Sequence, residues 1–346
     1  TAVEMGLVDL AVQAVDGTKI QGNASRNRTY DARGLQKLLD RTEAAIAELE
    51  AQNERGNDPP PPKLPELLNR ARGLKDQVRA AMERLVNETG VVRVNLTDGD
   101  SELMKGRNGI VAGYNAQSVV SPVNPALGTG MLITAADVGN NASDSAQLIP
   151  MLEMSEGMTG VHIPVTLADG GYHTAANLGE GERRGDTLVM TERYHPGVQG
   201  PYFKDRFVHD PAMDRYLCPE GQWLQYRGLR KANGRIEGPF RVYRAPRAVC
   251  RACPAFGACT KDKHVGRALW IGPHDRLIRK HRQWMATEQA QRLYDRRKGL
   301  IEPVFGILKE QMAGRRFLLR GLSNVKAEFV LLATAFNLRP LWRCRA

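Results

Sequence analysis

Two short apolar runs in this chain each stop at an Asp-Gly pair. Val12-Gln13-Ala14-Val15 leads into Asp16-Gly17, and Ile163-Pro164-Val165-Thr166-Leu167-Ala168 leads into Asp169-Gly170-Gly171. Short apolar runs rich in β-branched residues and bounded by glycine predict buried strands. A carboxylate at the end of such a strand projects over the edge of a sheet, and the glycine behind it admits a close neighbour. Asp-Gly is also ordinary turn chemistry, so neither motif says much alone. A third acid, Glu302, sits in the stretch from Tyr294 to Lys309, where Leu300, Val304, Ile307 and Leu308 recur at helical spacing. Tyr294, Arg297, Glu302 and Lys309 are expected to share much of the opposite face. Three carboxylates delivered by two strands and a helix are suited to holding divalent metal against a phosphodiester.

The remaining chain divides by pattern. Residues 1–30 are expected to hold the first strand, from Val12 to Ile20. Residues 31–90 read as a helical hairpin. One stripe runs through Leu35, Leu38, Leu39, Ile46 and Leu49, and a second through Leu67, Leu68, Ala71, Leu74, Val78, Met82 and Leu85, with Asp58-Pro59-Pro60-Pro61-Pro62 as the breaker. Residues 91–195 alternate strands with short helices, an α/β pattern. Strands are expected at 109–120, 131–138, 163–168 and 187–190, and Asp144 and Thr174 are expected as helix caps. Residues 196–275 are turn-rich and read as a β-rich insertion, whereas 276–346 are helical and basic.

With 42% hydrophobic and 25% charged residues over 346 positions, this is a globular composition. The formal net charge of +11 favours a polyanionic partner, nucleic acid ahead of a membrane surface. No apolar run reaches the ~20 residues a membrane helix needs, so a cytoplasmic, membrane-free protein is expected.

Cys250-Arg251-Ala252-Cys253 forms a CxxC, with Cys259 after it and Cys218 upstream. Four thiolates of this kind suit tetrahedral Zn²⁺, which would staple the insertion. His264 or His209 could replace one of them, and Cys344 is expected to stand apart. The spacing differs from the paired CxxC of a zinc ribbon, so buried reduced thiols stay open as the alternative.

In their order and setting, Asp16 in Ala14-Val15-Asp16-Gly17-Thr18-Lys19, Asp169 in Leu167-Ala168-Asp169-Gly170-Gly171-Tyr172 and Glu302 resemble the three acids of the DDE transposases of bacterial insertion sequences. Tyr294, Arg297, Glu302 and Lys309 resemble that family's tyrosine–arginine–glutamate–lysine signature. Asn115 and Asn337 also sit in stretches similar to the family. The resemblance implies an RNase H-like mixed sheet flanked by helices, with the hairpin inserted after the first strand and the cysteine region before the last catalytic helix. It implies two Mg²⁺ or Mn²⁺ ions, Asp16 bridging both, Asp169 holding one and Glu302 the other. Water would cut at a transposon end, and the released 3′-hydroxyl would attack target DNA. Tyr294, Arg297 and Lys309 would grip the double-stranded DNA of ends and target. His173, four residues past Asp169, is a further candidate for the site. Two ends imply a homodimer in the working complex, nucleoid-associated when active. Family members usually carry a segment before the first Asp, and this chain begins about one strand ahead of it. A nuclease that only hydrolyses and a catalytically decayed DNA-binding protein are the alternatives.

Overall fold

The computed structural model describes residues 2–54, 64–106, 109–192, 200–231, 239–262 and 264–343. The proline run and Cys344 lie outside the described residues. In chain order the elements begin with β1 (Gln13–Gln21), β2 (Thr29–Tyr30), α1 (Ala32–Glu54), α2 (Leu64–Asn87), β3 (Val94–Asn95) and β4 (Glu102–Gly106). They continue with β5 (Gly109–Pro122), β6 (Met131–Gly139), α3 (Leu148–Thr159), β7 (Val165–Ala168), α4 (Ala175–Arg184) and β8 (Thr187–Val189). Then come β9 (Val208–Asp210), β10 (Arg215–Leu217), β11 (Trp223–Arg230), β12 (Phe240–Arg244), α5 (Arg247–Arg251) and β13 (Ala268–Ile271). The chain closes with α6 (Asp275–Met285), α7 (Glu288–Gly306), a π-helical turn over Ile307–Gln311, and α8 (Leu322–Arg343). Among the described residues no helix is long and apolar enough to cross a membrane.

The chain forms two compact units. The first comprises 1–172, 185–189 and 293–346. Its mixed sheet runs β6-β5-β1-β7-β8, and β4 lies along the same edge of β5 as β6. β5 is antiparallel to both β1 and β6, whereas β1, β7 and β8 run parallel. β5 is buried through most of its length, including polar Asn115, Gln117, Ser118 and Ser121. A buried polar side chain needs a partner, and Asn115 and Gln117 find theirs at the site described below. β1 and β5 approach so closely that a Cβ at Gly113 would overlap the Ile20 carbonyl oxygen.

α8 covers the open edge of β6. Val119 pairs with Ala135 but Val120 with Ile133, so Thr134 is the extra residue of a bulge. Asn337 of α8 accepts from the Ile133 N–H at 2.8 Å and donates to its carbonyl at 2.8 Å, as a neighbouring strand would. Lys326 of α8 pairs with Asp137 at 2.9 Å. The helical hairpin is present, with Leu35, Val78, Ala81 and Val94 as its core and Leu38, Leu39, Leu74, Met82 and Leu85 packed around them.

The second unit comprises 173–184 and 190–292. It carries an antiparallel meander in the order β13-β12-β11-β10-β9, where the sequence predicts a strand-rich region. Phe207, Tyr216, Leu224, Tyr243 and Leu269 form its core. Thr174 caps α4 as expected, its hydroxyl accepting from Asn177 N–H at 3.1 Å.

Asn337→Ala deletes both bonds to Ile133 and uncovers an edge backbone. A loss of roughly 2–3 kcal/mol is expected, read as a lower denaturant midpoint with an unchanged slope.

Candidate active site

The parallel ladder between β1 and β7 ends with the pairs Ala14–Leu167 and Val15–Ala168. The next residues on the two strands are Asp16 and Asp169, so two carboxylates lie side by side where the ladder stops. Both turns use their carboxylates to satisfy backbone donors. Asp16 accepts from Gly17 N–H at 2.8 Å, and Asp169 from Gly171 N–H at 2.6 Å.

Charge crowding marks the spot. Burial first, and the Asp169 charge second, push the Asp16 carboxyl up to about 6, against the pull of Arg297; Asp144 adds a smaller push. Keeping Asp16 ionised at neutral pH therefore costs roughly 3 kcal/mol relative to water. Arg297 Nη1 meets Asp16 Oδ2 at 3.0 Å, with side chains only 11% and 20% exposed. Its Nε is buried with no partner among the described residues, and its guanidinium lies 5.9 Å from the Tyr294 ring. The expectation that Arg297 shares the face opposite the apolar stripe is thus corrected. Helical spacing already points this way, since Arg297 stands three, seven and eleven residues before Leu300, Val304 and Leu308, on the buried stripe itself, and the desolvated Asp16 carboxylate supplies its partner.

Lys309, on the π-helical turn, donates to Thr18 Oγ1 and, at 3.3 Å, to the Lys19 carbonyl oxygen. Helix α7 and the turn after it therefore touch β1 on either side of Gly17. Glu302 is exposed on α7 and makes no hydrogen bond or ion pair among the described residues. It lies five residues past Arg297, roughly 140° around the helix axis. The structure thus brings Asp16, Asp169 and Arg297 together and sets Lys309 on the same strand as Asp16, while Glu302 stands on the shared helix without touching them.

Asp144 was missed as a site residue. It precedes α3 at a distance that suggests a cap, but the cap position belongs to Gln147. Its carboxylate instead accepts from Lys19 Nζ at 2.9 Å, Asn115 Nδ2 at 2.7 Å and Gln117 Nε2 at 2.8 Å. Tyr172 is buried, and its hydroxyl donates to Gln117 Oε1. Burial and the nearby charges of Asp144, Asp16 and Asp169 hold that phenol well above its ordinary range. His173 belongs to the second unit, where its ring packs 5.1 Å from that of His281 and burial lowers its pKa.

In the second unit Cys218, Cys250, Cys253 and Cys259 are free thiols lining one pocket with Leu224 and Phe256. Cys218 Sγ accepts from Gln222 N–H at 3.2 Å. Burial pushes the Cys259 thiol up, Arg267 opposes it, and the other three cysteines add to the rise. Neither alternative histidine lines the pocket; His209 stacks on Tyr216.

Among the described residues no group of three or more His, Cys, Asp or Glu side chains is arranged to hold a metal ion. At the acidic site two of the carboxylates are paired with cations, Asp16 with Arg297 and Asp144 with Lys19. The donor chemistry nonetheless fits hard divalent metal at the aspartates and soft metal at the thiols.

Residues 217–342 match the family model of the transposase DDE domain, which supports a DDE transposase. The matched stretch holds the cysteines, Tyr294, Arg297, Glu302 and Lys309; Asp16 and Asp169 precede it. Comparison with curated proteins and with solved structures returned no match.

Arg297→Met strands the Asp16 carboxylate beside Asp169. A loss of about 1–2 kcal/mol at neutral pH is expected, limited because a carboxyl already pushed up to about 6 takes up a proton, and less than half of it in an Asp16→Asn background, where the paired charge is gone. Urea unfolding of the two single variants and the double variant measures this coupling.

Proposed function

We propose that this chain, whose residues 217–342 match the family model of the transposase DDE domain, is the catalytic body of an insertion-sequence transposase that cuts DNA at transposon ends and joins them to target DNA. The observation that carries the proposal is the Val15–Ala168 strand pairing, after which Asp16 and Asp169 follow as neighbours. The sheet order β6-β5-β1-β7-β8, with its antiparallel first half and parallel second half, supports an RNase H-like core. On this reading 1–30, 91–195 and 276–346 build the core, 31–90 is a hairpin insertion, and 196–275 is a cysteine-containing insertion.

The family implies divalent metal, and Asp16, Asp169 and Glu302 would hold two Mg²⁺ or Mn²⁺ ions. Such ions activate water and relieve charge on the scissile phosphodiester. The chain's own residues supply the frame. Arg297 orients Asp16 through its 3.0 Å ion pair, and Lys309 fixes β1 just past Gly17. Tyr294 and Lys309, neither fully buried, would form the side from which double-stranded DNA is gripped, while Arg297 is taken up by Asp16. The net charge of +11 supports that partner through phosphate contacts. The four cysteines would hold one structural Zn²⁺, remote in role from the chemistry. Two transposon ends call for a homodimer at work, in the bacterial cytoplasm at the nucleoid.

The test is a strand-transfer assay with Mg²⁺ or Mn²⁺ on duplexes bearing the ends of the chain's own element. Joined products are expected; cutting without joining would mean a hydrolytic nuclease, and binding without cutting a decayed DNA-binding protein. Asp169→Asn is expected to abolish cutting while DNA affinity stays within about threefold, since phosphate contacts dominate binding. A variant that cuts at the normal rate refutes the assignment. Elemental analysis of reduced, purified protein is expected to find one zinc per chain, and a zinc-free folded protein refutes the cysteine site.

A further inference from the structure

The ladder between β1 and β7 stops at Val15 and Ala168. Beyond it β5 holds β1, through pairs that include Asp16–Ser118 and Gly17–Gln117, while like charge drives Asp16 and Asp169 apart. The hydrogen bonds around Asp144 are what tie this side of the corner to the turn that carries Asp169. Asp144 Oδ1 takes three donors, Lys19, Asn115 and Gln117, at 2.7–2.9 Å, which saturates that oxygen. Lys19 lies three residues past Asp16 on β1. Gln117 faces Gly17 across the β1–β5 ladder and accepts from the hydroxyl of Tyr172, three residues past Asp169. Tyr172 is itself tied back, its N–H donating to the Asp169 carbonyl at 3.2 Å.

Gly17 makes room for this arrangement. A Cβ there would overlap Gln117 Nε2 and stand 2.5 Å from Asp144 Oδ1. The close neighbour that the first Asp-Gly pair admits is thus the Asp144–Gln117 contact.

We infer that Asp144 is a positioning residue of the acidic site, the junction of a hydrogen-bonded bridge Lys19–Asp144–Gln117–Tyr172 that fixes the separation of Asp16 and Asp169. This rests on the reading of those two aspartates as the metal-holding pair. It gives Asp144 no contact with substrate.

Calorimetric titration of Mn²⁺ into the full chain tests the bridge, with thermal unfolding run alongside. Asp144→Ala removes the junction, and Mn²⁺ affinity is expected to fall about tenfold or more, as for supporting residues of metal sites. Asp144→Asn keeps an acceptor oxygen for Asn115 and Gln117, and affinity is expected within about threefold of the wild type. Tyr172→Phe changes no charge at neutral pH and is expected to weaken binding about fivefold, somewhat less than the about 10–100-fold typical of direct supports of a ligand, because it removes one link and leaves the Asp144 junction. Asp144→Ala that lowers only the melting temperature overturns the inference in favour of a purely structural role. Asp144→Asn as weak as Asp144→Ala overturns it in favour of charge. Asp16→Asn binding Mn²⁺ like the wild type refutes the metal-holding pair itself, and the bridge with it.

Discussion

Two aspartates that follow the last rungs of one parallel ladder are the constraint to which the first unit answers. Asp16 and Asp169 share a partly desolvated corner, and the Asp16 carboxyl is pushed up to about 6 by burial and by its neighbour. A fold that leaves such a corner uncompensated loses stability, because a buried charge without a partner costs several kcal/mol. The compensation comes from elements distant in sequence. Arg297 reaches Asp16 from α7, and Lys19 answers Asp144 from β1 itself. Lys309 fastens the chain after α7 to the same strand. The C-terminal helices are thus held against the sheet by the charges the sheet presents, besides the apolar contacts of Ile301, Val304 and Leu308, all buried.

The regular parts of this fold were legible because their signals are local. The runs at 109–120 and 131–138 are long, apolar and β-branched, and they became β5 and β6 almost as read. The hairpin stripes were equally plain in their period. β4 escaped because Glu102-Leu103-Met104-Lys105-Gly106 is short, mixes charge with apolar residues and becomes a strand only by pairing with β5. Asp144 was misassigned for a related reason. An aspartate before a helix is a sound cap signal, but three donors from β1 and β5 outbid one turn of backbone. Grouping Arg297 with Tyr294, Glu302 and Lys309 on the face opposite the stripe follows its charge over its period, since its spacing from Leu300, Val304 and Leu308 sets it on the stripe, where Asp16 answers it.

The second unit shows the reverse balance. Its five short strands carry weak patterns, with β9, β10 and β13 at three or four residues each, and their register depends on aromatic packing. Tyr216 meets Tyr243 edge-on with ring centroids 4.8 Å apart, and His209 stacks on Tyr216 at 4.6 Å. Cys218, Cys250 and Cys259 pack on the same core. A small sheet with so little apolar area gains most from a cross-link at its margin, which is the physical case for placing a metal among these thiols rather than anywhere else in the unit.

The acidic corner is stable as it stands because a guanidinium and an ammonium already partner two of its aspartates. Those same contacts oppose a divalent cation, which must draw the oxygens toward itself. The arrangement reconciles both needs by sharing out the atoms. Arg297 uses one oxygen of Asp16, and Lys19 joins two amides on one oxygen of Asp144. Asp144 is therefore occupied with geometry, while Asp16 and Asp169 each also accept a backbone N–H, from Gly17 and Gly171. Glu302, exposed and unpaired among the described residues, is the one acid of the proposed three that no neighbour restrains. On the proposed reading, two of the acids are positioned by the sheet and the third stands on a helix that Arg297 ties to the same strand.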